Sequence, residues 1–135
     1  MAKFAANDYK VTINGTDFST SLNSVELSEE ADELETTAFG SNWRTRIGGL
    51  KQASLTLNFM QDFAAGSVDA TLNPLLGSIA TVVILPSGTV AGTANPSYTM
   101  TALVTQYSPF ASSVGDIATL SVTWPVTGTV TRATA

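Results

Sequence analysis

Two side chains that most often carry chemistry are missing altogether: the 135 residues include neither cysteine nor histidine. Without cysteine there is no disulfide, no thiolate nucleophile and no thiolate metal site. Without histidine, acid–base work near neutrality loses its usual agent. Charge is scarce as well. Charged residues are 13% of the chain, where an ordinary soluble domain carries about twice that. No apolar run approaches the roughly 20 residues of a membrane-spanning helix, and the opening MAKFAANDYK lacks the apolar segment of a signal peptide. The expectation is therefore a chain made in the cytoplasm with no membrane anchor.

Cations are too few for a nucleic-acid grip. The net charge is -5, and the basic residues are Lys3, Lys10, Arg44, Arg46, Lys51 and Arg132. Only the middle three approach a cluster, and so small a group is not a phosphate-binding footprint. The length suits a single domain, 1–135, able to bury a real core. Thr, Ser, Ala and Gly fill what charge leaves empty, and a surface of that kind is either idle and tolerated or meant to meet other copies of the same chain.

The hydrophobic pattern is that of β-structure. Tyr9–Ile13 alternates and runs into Asn14-Gly15, a strong hairpin-turn signal, with a return strand expected near Phe18. A short strand is expected over Asn23–Leu27. Ala53, Leu55, Leu57 and Phe59 fall on one face of another strand. Thr81–Leu85, Ser97–Tyr107 and Ile117–Val126 read as three more, the last placing Trp124 in the core. Pro125 cannot donate to a ladder, so that strand should be paired on one side only near its end. One short helix is expected over Ser67–Leu76, with Asp69 as its cap and Leu72, Leu75 and Leu76 inward. Pro74 should limit it to a couple of turns. The segment 36–51, broken by Gly40, Gly48 and Gly49, reads as a long loop or extended hairpin, and the termini, about 1–7 and 128–135, as loose. These elements predict an antiparallel β-sandwich or barrel-like fold with one flanking helix.

Between Val25 and Thr37 lie six carboxylates: Glu26, Glu29, Glu30, Asp32, Glu33 and Glu35. Their spacing matches no calcium loop. A glycosidase pair would need a facing cleft that one short segment does not specify. As a helix the segment would set like charges beside each other. It reads as a solvated acidic face, as a repulsive surface, as a weak cation-binding stretch, or as a partner for Arg44 and Arg46. The glycines of FGSNWRTRIGGLK lack the spacing of a phosphate-binding loop. Trp43 either folds back over its own sheet or serves as an interface anchor. Nothing here supplies a poised acid, base or nucleophile, so an enzyme, a cofactor and a bound metal are all unexpected. One rival reading is a carbohydrate-binding module using Trp43 and Tyr98.

Thr37-Ala38-Phe39-Gly40, Trp43-Arg44-Thr45-Arg46 and Gly49-Leu50-Lys51, leading into the strand Ala53–Phe59, together with Gly115-Asp116 before the late strand, resemble the major tail tube proteins of long, non-contractile-tailed bacteriophages. The likeness extends loosely over about Tyr9 to Val130. It implies a virion structural protein, found in the tail, that forms hexameric rings stacked into a hollow tube through which DNA is ejected. By the same resemblance its partners are further copies of itself, a tape measure protein, a tail terminator and a distal tail protein, with viral DNA passing transiently. The inter-ring or inter-subunit contact would fall on Phe39, Trp43, Arg44, Arg46 and Lys51, and the acids Glu26 to Glu35 would line the lumen or pair with the loop. A tube or adaptor subunit of a contractile tail or secretion system shares the same patterning.

Overall fold

The computed structural model describes residues 9–88, 92 and 95–134. Seven antiparallel strands make up the fold: β1 (Lys10–Ile13), β2 (Thr16–Asp17), β3 (Leu22–Glu35), β4 (Arg46–Met60), β5 (Ile79–Leu85), β6 (Ser97–Leu103) and β7 (Thr119–Ala133). One helix, α1 (Val68–Leu72), precedes a 3-10 turn at Asn73–Leu75. The hydrogen-bonded order is β2-β1-β5-β6-β7-β4-β3. This is the predicted fold class, and its lining follows from alternation.

The core lies between two layers that share β7. From Thr119 to Pro125 that strand pairs with β4, setting Leu55 opposite Trp124, Leu57 opposite Val122 and Phe59 opposite Leu120. From Val126 onward it pairs with β6 instead. The exchange falls at Pro125, which has no N–H to give, so the expected one-sided pairing is where the two layers part. Facing side chains come from Val11 and Ile13, Ala80 and Val82, and Met100 and Ala102, all buried. Trp124, wholly buried, donates its indole N–H to the Gln106 carbonyl at 3.0 Å. Phe18 meets Phe59 edge to face, with centroids 6.0 Å apart.

Some expectations change in detail. Asn14 and Gly15 take φ of 50° and 87°, which suits a tight hairpin turn. The return strand is only Thr16–Asp17, and Phe18 follows it into the core rather than beginning it. Helix α1 ends at Leu72, and Asp69 does not cap it. The Asp69 carboxylate instead accepts the Tyr107 hydroxyl at 2.6 Å. Leu76, expected inward, is half exposed, because the chain turns to Gly77 beyond the 3-10 segment. Gly128–Ala133, expected loose, is ordered as the second half of β7, paired with β6 around a bulge at Gly128. The expected loose segment 1–7 lies outside the described residues.

Candidate functional site

The short strand expected over Asn23–Leu27 continues unbroken to Glu35. With β4 it forms a hairpin whose inner half is clamped by β7 and whose outer half is not. β4 loses β7 beyond Ser54, so residues from Ala53 to Arg46 pair only with β3. At ordinary strand rise this leaves an arm of roughly 25 Å projecting from the sandwich, before its loop is counted. The loop is pinned where it begins. Thr36 donates its N–H to the Thr45 carbonyl at 2.7 Å, their hydroxyls are 2.7 Å apart, and the Thr45 N–H reaches the Thr37 hydroxyl. At the tip, Phe39 and Trp43 are exposed (Trp43 by 84%), so Trp43 does not fold back over the sheet.

A bulge divides the arm. Between the pairs Ala31–Lys51 and Glu33–Gly48, two residues of β4, Gly49 and Leu50, oppose Asp32 alone. A Cβ at Gly49 would stand 3.1 Å from the Asp32 Cβ and 3.3 Å from Leu34, so the missing side chain is what lets Leu34 lie across the strand. Beyond the bulge Leu34 pairs with Ile47, both about half exposed, and Leu50 within the bulge is largely exposed. The arm thus carries one apolar side with nothing over it.

The six acids do not converge. Strand alternation sends Glu26, Glu30 and Asp32 to one side and Glu29, Glu33 and Glu35 to the other. Arg46 pairs with Glu33, and Arg44 with Glu35 at 2.6 Å, both in solvent. Both contacts are made within one chain. Glu30 accepts from the Gln52 amide. Lys51 shares an open cleft with Glu29 and Glu30 where the arm leaves β7; it encloses about 680 Å³ and also meets Val126 and Val130. Among the described residues no three acids form a group that could hold a metal ion.

Glu26 and Glu30 belong to an outer face with Ser28 on β3, Thr56 on β4, and Ser121 and Thr123 on β7. Thr56 and Thr123 touch through their hydroxyls at 3.3 Å. Lys and Arg are absent from it: the cations of β3, β4 and β7 lie on the arm or at Arg132.

The fold itself has a known counterpart. Over 97% of this chain and 99% of the other, it superposes on a chain from the virion of a native gene transfer agent particle, with a TM-score of 0.77. Sequence identity between the two is 14%, so the likeness is one of fold. No protein-family model matches the sequence, and no curated protein does.

Trp43 and Tyr98 are not brought together. Trp43 borders a shallow depression on the arm with Phe39 and Arg44, whereas Tyr98 lines a groove on the body with Tyr9, Val25, Leu27 and Ile84. The glycan platform considered from the sequence is therefore not assembled.

Sequence reasoning overlooked the end of the molecule opposite the arm. Phe63 and Phe110 stack there at 5.4 Å with an interplanar angle of 27°, and both are largely exposed. Val114 and Ile117, on the loop leading to β7, are exposed too. Neither Phe63 nor Phe110 lies in an alternating run, and that is the one signal that could have marked them as non-core.

Proposed function

We propose that this chain is a structural subunit of a virion tail tube, that it closes into rings, hexameric by the family resemblance, and that the rings stack into a conduit for DNA. The observation that carries the reading is the end-to-end match in fold with a virion chain. The architecture supports it in three ways. The free edge of β3 is 14 residues long and the bare arm is longer than a lone domain has use for. A surface poor in charge is tolerable when neighbouring copies cover it. The outer face bearing Glu26, Glu30, Ser28, Thr56 and Thr123 has no cation to hold a phosphate, so a strand of DNA passing over it would release no counterions and would not stick. We assign that face to the lumen. Phe39, Trp43, Arg44, Arg46 and Lys51 are assigned to contacts between subunits or rings. A tape measure protein, a terminator and a distal tail protein would be the partners at the ends of such a tube. The role is structural rather than enzymatic.

Electron microscopy of the purified full chain, at low and high concentration, tests the reading. Rings or hollow tubes are expected. A protein that remains single at every concentration, even with the other tail components supplied, would overturn it.

A further inference from the structure

The core closes differently at its two ends. Beyond Met60 it is shut by α1, whose Val68 and Leu72 are wholly buried. At the end where the arm leaves, Leu27, Ile84, Tyr98, Val126 and Val130 pack on the core but stay partly exposed. Side chains also shrink there. Alternation puts Ala53 on the face of β4 that carries Leu55, Leu57 and Phe59, and Ala53 is the first residue past the point where β7 departs. Ala31 and Gly128 border the same cleft of about 680 Å³, which leaves a hollow walled by Val126 and Val130. Charge does not choose what fills it, since Glu29 and Glu30 share its rim with Lys51.

A groove leads to this cleft from the first strand. Tyr9, just before β1, lines it with Leu27, Ile84 and Tyr98, and Glu29 borders groove and cleft alike. The chain that precedes Tyr9 therefore starts from the groove's own wall. In the order β1-β5-β6-β7, three strand spacings separate β1 from β7, about 14–15 Å. From Tyr9 back to Phe4 is five residues, about 17 Å when extended. Residues 1–8, 89–91, 93, 94 and 135 are the ones outside those described, and Phe4 is the one aromatic among them.

We infer that Phe4 plugs the hollow at the root of the arm of its own chain, with residues 5–8 laid along the groove. The occupant is this leading segment because it enters at the rim, has the reach, and carries an aromatic ring to fill the space that Ala31, Ala53 and Gly128 leave. A tether this short holds the ring at a high effective concentration, which favours its own cleft over that of another copy. Docking takes apolar surface out of water on both sides, the ring on one and Val126 and Val130 on the other. The proposal concerns the single chain and stands apart from the tube reading.

The chain has no cysteine, so an introduced pair reports proximity cleanly. The full chain carrying Phe4→Cys and Ala53→Cys is oxidised at low concentration. An intramolecular disulfide is expected, read as the loss of two hydrogens by mass spectrometry with no change in hydrodynamic size. Phe4→Cys combined with Thr16→Cys, on the exposed hairpin at the far end of β1, should stay reduced. A disulfide-linked dimer of the first variant would seat the segment on a second copy and overturn the assignment to its own chain. No disulfide, or equal oxidation of both pairs, would overturn the site. As a second measure, Phe4→Ala should lower the urea midpoint of the monomer, and Phe4→Leu should keep most of it. A Phe4→Ala chain with the wild-type midpoint would overturn the docking as well.

Discussion

The Leu34 side chain lies across Gly49 so closely that a Cβ there would come within 3.3 Å of it. The approach falls at the bulge opposite Asp32, where a strand bends and twists more strongly. Replacing Gly49 with Val should push Leu34 off the strand and change the direction of the arm. The body shares none of these contacts, so denaturant unfolding should shift by no more than about 1 kcal/mol, while tube yield measured by sedimentation falls severalfold.

Trp43→Ala should leave the isolated chain as stable as the wild type, because the indole is 84% exposed and touches no core. The effect expected is on assembly, read as shorter or fewer tubes by electron microscopy. Unchanged tubes would remove Trp43 from the contact.

Trp124→Ala is the contrasting case. The indole is fully buried against β4 and gives its hydrogen to Gln106. Loss of both should cost about 3–5 kcal/mol, measured by urea unfolding of the monomer.

Tyr107 ties three elements together: it donates to Asp69 on α1 at 2.6 Å, and the Gln61 amide at the end of β4 donates to its oxygen at 3.3 Å. Partial burial, and then the bond to Asp69, hold its pKa above the ordinary tyrosine value. The unfolded chain therefore releases this proton first as pH rises. The contribution is whole below about pH 10 and is lost as pH climbs through the higher folded value. Tyr107→Phe should cost about 1 kcal/mol at neutral pH and flatten the alkaline limb of the stability profile.

Asp17 acts in the opposite direction. Hydrogen bonds from the Ser19 hydroxyl and then its N–H lower the Asp17 pKa, with Lys10 adding a smaller pull. Its contribution is present above about pH 4 and disappears as pH falls through the folded value. Asp17→Asn should weaken the acid limb of the curve and leave the alkaline limb unchanged.

Alternation alone made the body readable. Leu55, Leu57 and Phe59 facing Trp124, Val122 and Leu120 is what a period of two in each strand requires. The arm was harder to see, because its stability comes from a partner strand rather than from local pattern. Glu29 to Glu35 show no apolar alternation, and two adjacent glycines in β4 look like a break until the bulge opposite Asp32 explains them. The Phe63–Phe110 stack was illegible for a related reason: it joins residues 47 positions apart in segments with no period at all.

Because β7 belongs to both layers, exchanging partners at Pro125, one continuous strand ties the two together. A load applied along the arm is carried into β4, which is paired on both flanks from Ser54 to Phe59. Those bonds lie across the direction of pull and resist it in shear, all at once, rather than opening in turn like a zip. Pulled lengthwise, the root of the arm would give way only by losing those bonds together.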